Sequence, residues 1–153
     1  MAGGNIDRPY EGGFVGKTHH FALRVYFEDT DVAGIVYYAN YLKFMERARS
    51  DMIRAAGIDQ RGAIEAGDGV YAVAEARIKY RRPAKLDDAL VVLSDVLDVR
   101  AASCIIQQRV MRGEELLTNA TVTAAFLTND GRPQRQPQAW VDIFKRLKKE
   151  GSE

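Results

Sequence analysis

Cysteine is nearly absent from this chain. Cys104 stands alone in 153 residues, which excludes an internal disulfide and fits a reducing compartment. Also missing is any apolar run near the roughly 20 residues that a bilayer-spanning helix needs, so no integral membrane segment is expected. Neither sign of charge dominates. Lys and Arg number 22 against 21 Asp and Glu, a formal net charge of +1, which argues against nucleic acid or an acidic membrane as the main partner. The two histidines, His19 and His20, are adjacent, and in a strand they point to opposite faces, a poor metal pair. Neither metal nor other cofactor is expected. The N-terminus lacks the apolar core of a signal peptide, and a soluble, cytoplasmic chain is the expectation. What remains, 46% hydrophobic and 28% charged, is the composition of one ordinary globular domain.

Residues 1–17 carry five glycines (Gly3, Gly4, Gly12, Gly13, Gly16) and read as a flexible leader, leaving residues 18–149 as a single domain. Over 19–27, Phe21, Leu23, Val25 and Phe27 alternate with His20, Arg24 and Tyr26, the period of a strand. From Tyr38 the spacing changes to threes and fours. Tyr38, Tyr41, Leu42, Met45, Ala48, Met52, Ile53 and Ala56 form one helical stripe, with Lys43, Arg47, Ser50, Asp51 and Arg54 off it and Gly57 placed to stop the helix. About twenty residues is long against a mean of roughly 11–12, so this is expected to be the central helix. Residues 58–68 read as a polar connection. Four β-runs follow, 69–82, 89–99, 103–112 and 115–127, with short connections that favour antiparallel neighbours. In the first run Val70, Ala72, Ala74, Ala76, Ile78 and Tyr80 share a face, its alanines small enough to admit a close helix. The run 89–99 is apolar on both faces and is expected at an edge. Asn129-Asp130-Gly131 is a turn, and Pro137 opens a short basic helix. The order β, long α, four β predicts an α+β fold, a five-stranded antiparallel sheet around one long helix.

Strand and helix meet at Arg24-Val25-Tyr26-Phe27-Glu28-Asp29-Thr30-Asp31-Val32-Ala33-Gly34-Ile35-Val36-Tyr37-Tyr38-Ala39-Asn40-Tyr41. A helix N-terminus has peptide N–H groups without internal partners, and the macrodipole adds positive potential there. Such a tip polarises a carbonyl while a nearby carboxylate attacks or activates water, a pairing suited to acyl transfer. An EF-hand reading fails, because the calcium loop needs an oxygen ligand at Ala33 and a bidentate Glu at Asn40. An aspartyl-phosphate phosphatase would be doubly wound, and no later β–α alternation supports that. A solvated turn with an aspartate capping the helix also accounts for an arbitrary Asp-x-Asp.

The stretch from Tyr26 to Tyr41, continued by Glu46-Arg47-Ala48-Arg49, resembles the signature of the 4-hydroxybenzoyl-CoA thioesterase family, and most closely its Tol–Pal-associated acyl-CoA thioesterase branch. The similarity extends through Tyr80-Arg81-Arg82-Pro83-Ala84-x-Leu86-Asp87-Asp88. The resemblance implies a hotdog fold, a homodimer or homotetramer, and hydrolysis of acyl-CoA thioesters. It aligns Asp31 with the catalytic carboxylate, as nucleophile or general base, and the backbone N–H near Tyr38 with the group that polarises the thioester carbonyl. Gly34, Val36 and Tyr37 fall at substrate-binding positions, with Gly34 letting the loop backbone approach the substrate. Arg81 and Arg82, with Arg77, Lys79 and Lys85, either meet coenzyme A phosphates or form a solvated strand face. Two positions depart from the branch, which commonly has Tyr at Phe27 and His at Tyr38; the hydroxybenzoyl enzyme has Tyr at the latter. Glu46, on the helix, is read as structural, pairing Arg47 or Arg49, and Cys104 as a small buried hydrophobe. Acyl-CoA is the expected substrate and acyl carrier protein a second carrier. The competing class is a non-catalytic hotdog module that binds acyl carriers or cell-envelope complex proteins.

Overall fold

The computed structural model describes residues 10–150. The period-two runs become strands and the period-3.6 run a helix. In chain order these are β1 (Gly13–Val15), β2 (Thr18–Arg24), a single 3₁₀ turn (Phe27–Asp29), α1 (Asn40–Ala55), α2 (Gln60–Ala66), β3 (Val70–Tyr80), β4 (Ala89–Val99), β5 (Ser103–Arg112), β6 (Glu115–Leu127) and α3 (Gln138–Leu147). All strands join one antiparallel sheet in the order β1-β2-β4-β5-β6-β3. The long helix against an antiparallel sheet is the expected α+β hotdog arrangement, with six strands in place of five. The extra strand is β1, which turns back on β2 by pairing Gly13 with His20 and Val15 with Thr18. It falls inside the segment read as a flexible leader, whose residues 1–9 lie outside those described.

One expectation of sheet order is corrected. β4, read as an edge because both its faces are apolar, lies between β2 and β5. Its two apolar faces are those of a central strand. The edges are β1, three residues long, and β3, eleven residues long. In β3 a bulge between Val73 and Glu75 reverses the parity of the strand. Tyr71 and Val73 before it pair with Phe126 and Ala124, and Ala76, Ile78 and Tyr80 after it pair with Val122, Ala120 and Thr118. The helix-facing set is therefore split, and the continuous alanine face does not form.

α1 buries Tyr41, Phe44, Met45, Ala48, Asp51, Met52 and Ile53, while Leu42, assigned to the stripe, is exposed. Gly57 ends the helix at φ +97°, the left-handed conformation a β-carbon would resist. Tyr41, Phe44, Met45 and Ala48 pack with Val25, Val92, Val110 and Leu117 in one core cluster. Met52 and Ile53 pack with Val96, Ile106 and Phe144 of α3 in a second. Each large side chain so buried contributes about 1.5–3 kcal/mol. The connection 58–68 contains α2, which sequence reading missed although its signals were present. The Asp59 side chain accepts from the Gly62 N–H at 3.0 Å, and Gly67 stops the helix at φ +76°.

Buried polar contacts fix the position of α1 over the sheet. Gln108 is fully buried; it donates to the Met45 carbonyl at 2.9 Å and to Ser94 Oγ at 3.0 Å, and accepts from Arg49 at 2.9 Å. His19 on β2 is also fully buried, with Nε2 2.8 Å from Asp51 Oδ2 of α1, and the same oxygen accepts the Gly12 N–H at 2.9 Å. Asp51, placed off the helical stripe by its charge, is therefore inside, paired to a strand.

This pair gives a pH prediction. Burial lowers the pKa of His19 below the ordinary 6.5, ahead of the opposing pull of Asp51. A proton on Nδ1 would find no acceptor among the described residues. As pH falls the unfolded chain takes up the proton first, so the stability from neutral His19 is complete above about pH 6.5 and declines below it. Thermal denaturation should show the melting temperature falling as the pH is lowered below about 6.5, less steeply in His19→Gln. An equal slope in that variant would assign the effect to other groups.

Candidate active site

The Asp-x-Asp segment folds as a small hairpin ahead of α1. Thr30 pairs with Val36 and Ile35 with Lys85 as isolated bridges, and the Asp31 N–H donates to the Ile35 carbonyl at 2.9 Å. Asp31 stands on the shoulder of this turn, exposed. Its Oδ1 accepts the Ala33 N–H at 2.8 Å, and Oδ2 carries no hydrogen bond from a described residue. Gly34 has φ +81° and donates its N–H to the Asp31 carbonyl at 3.0 Å. A β-carbon there would meet nothing within 4 Å, so within this chain Gly34 answers to backbone conformation and not to crowding.

Asp29 has a different part. Its Oδ2 accepts the Tyr26 N–H at 2.9 Å, and its carbonyl accepts both the Tyr37 N–H at 3.0 Å and the Asn40 side-chain amide at 2.8 Å. The acidic loop is thus tied to the tip of α1 through the backbone of Asp29, and the Asp31 carboxylate takes no part in those ties. The tip itself is uncapped: no side chain bonds it at Ala39, and its first turn has no acidic residue. Asn40 donates its N–H to the Tyr37 carbonyl at 2.8 Å, while the N–H groups of Tyr38 and Ala39 have no acceptor among the described residues. These are the donors a carbonyl oxygen would meet.

Beside the tip lies a cleft of about 300 Å³ with walls from Ile35, Val36, Tyr38, Tyr41, Tyr80 and the segment 81–83. Of the residues singled out in the sequence, it brings together Val36, Tyr38, Arg81 and Arg82. The Val36 side chain is buried in the core, so only the edge of that wall is its own. Asp31, Gly34 and Tyr37 do not line the cleft; Asp31 and Gly34 sit on the turn that leads into its Ile35–Val36 wall, and the Tyr37 ring lies 5.0 Å from that of Tyr38. Tyr80 and Tyr41 were missed as site residues. The Tyr80 ring stands perpendicular to Tyr38 at 6.1 Å and near Tyr41 at 5.6 Å, and its hydroxyl donates to the Tyr38 carbonyl at 3.2 Å. Tyr80 was visible as the last apolar residue of β3, yet nothing in the sequence told that its hydroxyl returns to the helix tip.

The basic residues divide. Arg82 pairs with Glu115 at 3.1 Å and Arg77 with Glu75 at 3.4 Å, whereas Arg81 and Lys79 have no ion-pair partner among the described residues. Glu46 accepts from Ser50 at 2.6 Å in place of an arginine, and Arg49 turns instead to Gln108. Cys104 is buried, and burial pushes its thiol up to about 12, an inert group. A larger cleft of about 490 Å³ lies at the other end of α1, against Arg54, Gly57 and Arg61, and holds none of these residues. Among the described residues, no three His, Cys, Asp or Glu side chains are grouped to hold a metal, and no helix is long and apolar enough to cross a membrane.

A sequence profile of the thioesterase-like superfamily matches residues 25–145. The chain is 42% identical over 105 residues to acyl-CoA thioesterase YbgC of Haemophilus influenzae, covering 69% of this chain and 77% of that protein. It is 34% identical over 125 residues to acyl-CoA thioester hydrolase YbgC of Escherichia coli, covering 80% and 92%. A probable thioesterase from Bartonella henselae has a solved structure that superposes with a TM-score of 0.74 at 33% identity, covering 78% of this chain and 99% of that one.

Proposed function

The chain belongs to the thioesterase-like superfamily, and on that premise we propose that it hydrolyses acyl-CoA thioesters, with Asp31 and the tip of α1 as the two halves of its site. The observation that carries this reading is that one loop, held by the Asp29 backbone, joins an Asp31 carboxylate oxygen with no partner among the described residues to an uncapped helix tip. The thioester carbonyl oxygen takes the Tyr38 N–H, and the positive end of the helix stabilises the oxyanion as it forms. Asp31 then acts in one of two ways. As nucleophile it adds to the carbonyl carbon, expels the coenzyme A thiolate and leaves an acyl anhydride for water to open. As base it takes a proton from the water that attacks. Either way acyl-CoA and water give free acid and the thiol.

The tyrosine-walled cleft, with Tyr37 beside Tyr38, suits an acyl or aryl group; Val36 lies on its loop side, and Gly34 sits on the turn that leads into that wall. Arg81 and Lys79, without an ion-pair partner among the described residues, would meet phosphates, whereas Arg82 would first have to leave Glu115. The same reading places the chain in the Tol–Pal-associated branch and in the cytoplasm, with acyl carrier protein as a second carrier of the thioester. It also makes the active unit a homodimer or homotetramer and residues 18–149 the catalytic domain. A panel of short-chain, long-chain and aryl-CoA substrates, read by thiol release, tests the activity and ranks the acyl group. No release above the buffer rate from any of them would overturn it.

Asp29 supplies an internal control. In Asp29→Asn the amide oxygen still accepts the Tyr26 N–H, and the backbone ties to Tyr37 and Asn40 are untouched. Turnover is expected near wild type, and the stability loss below the roughly 1 kcal/mol typical of a lost cap. Abolished turnover in Asp29→Asn beside an active Asp31→Asn would exchange the two roles.

A further inference from the structure

We propose that Tyr80 is a positioning residue for the reaction: its hydroxyl holds the Tyr38–Ala39 peptide so that the Ala39 N–H becomes a second donor, beside that of Tyr38, to the thioester carbonyl oxygen. The proposal rests on the reading of the helix tip as the carbonyl-binding half of the site.

Two consecutive peptide planes make the tip. Each is trans, so its C=O and N–H point in opposite directions, and fixing one end aims the other. The Tyr37–Tyr38 plane is fixed at its carbonyl by the Asn40 N–H at 2.8 Å, which directs the Tyr38 N–H outward. The Tyr38–Ala39 plane has no such partner from the helix. Its carbonyl is held from outside, by Tyr80 Oη at 3.2 Å, and the Ala39 N–H is aimed by that contact. Neither N–H donates to a described residue.

Tyr80 is itself held in place. It ends β3 opposite Thr118, and its ring contacts Tyr38 at 6.1 Å and Tyr41 at 5.6 Å. Tyr41 is anchored in turn, its hydroxyl accepting the Ala84 N–H at 3.0 Å. The rings alone would be kept by a phenylalanine; only the hydrogen bond to Tyr38 needs the hydroxyl. Burial raises the Tyr80 pKa above its ordinary 10.0, so the group remains a protonated donor at neutral pH.

Tyr80→Phe preserves the ring contacts and removes the one bond. Loss of a whole oxyanion donor costs about 10²–10³ in kcat. A donor loosened but still present loses less, so kcat should fall about tenfold, with KM changed little because most of the interaction's strength develops with the charge. A second readout does not depend on turnover. With acyl-CoA carrying a ¹³C label at the thioester carbon, the infrared carbonyl band should shift to lower frequency on binding to Asp31→Asn. Part of that shift should be lost in Asp31→Asn/Tyr80→Phe. Unchanged kcat in Tyr80→Phe, a change confined to KM, or the same carbonyl frequency in both backgrounds would overturn the proposal. Failure of the carboxylate assignment would look different: Asp31→Asn would keep its turnover, and the comparison of Tyr80→Phe with wild type would still decide the role of the hydroxyl.

Discussion

Asp31→Asn should lose about 10²–10⁴ in kcat while folding as the wild type does. The substitution separates structure from chemistry because the two carboxylate oxygens have different work. Oδ1 accepts the Ala33 N–H at 2.8 Å, a contact the asparagine carbonyl reproduces, and the turn through Gly34 is closed by backbone bonds that do not change. Oδ2 has no hydrogen-bond partner among the described residues. Replacing it with an amide removes the lone pairs that attack the carbonyl carbon or take a proton from water, and puts two donors in their place. The melting temperature and circular dichroism should match the parent, and single-turnover mixing should show substrate bound and not released as acid. Wild-type-like turnover in a folded Asp31→Asn protein would remove Asp31 from the mechanism.

The parts of this molecule legible in its sequence are those set by local periodicity. α1 and its stop at Gly57, the strands β2, β4, β5 and β6, and the turn at 129–131 each rest on residues adjacent or nearly adjacent in the chain. Less legible were features whose cause lies across the fold. Asp51 looked like a surface residue because its partner, His19, is 32 positions away on another element. The bulge in β3 is one unpaired residue in an alternating run, and no residue type announces it; the reversed parity follows from pairing with β6. β4 was placed at the edge by its own hydrophobicity, whereas β1, whose three residues are too short to signal a strand, covers β2 and leaves β3 as the long free edge. The site divides in the same way. The acidic loop and helix tip form one continuous motif, while the walls of the cleft come from β3 and the segment after it, some forty residues on.

The corrected edge gives the proposed oligomer its surface. β3 is eleven residues long, and its alternate residues turn backbone N–H and C=O groups to a side that no described strand pairs; 72–77 are all exposed, among them Ala72, Val73, Ala74 and Ala76. Natural edges of this length are paired, covered or broken by charge. Here Glu75, Arg77 and Lys79 share one face, and across the bulge the other carries Val73, Ala76 and Ile78. A second copy of β3, added antiparallel about a two-fold axis, would satisfy the edge and cover that strip, and it would bring a second subunit to the cleft at Tyr80. Ala76→Glu tests this at a position with no hydrogen bond to lose. Each dimer would bury two uncompensated carboxylates near the axis, at a cost of several kcal/mol, and each 1.4 kcal/mol weakens association about tenfold. Light scattering should find the parent at a multiple of the 17.1 kDa chain mass and Ala76→Glu as a folded monomer. Activity should fall with the loss of the partner and return as protein concentration is raised. A monomeric parent with full turnover would defeat the pairing, and a dissociated Ala76→Glu variant as active as the parent would keep the dimer but move the site out of its interface.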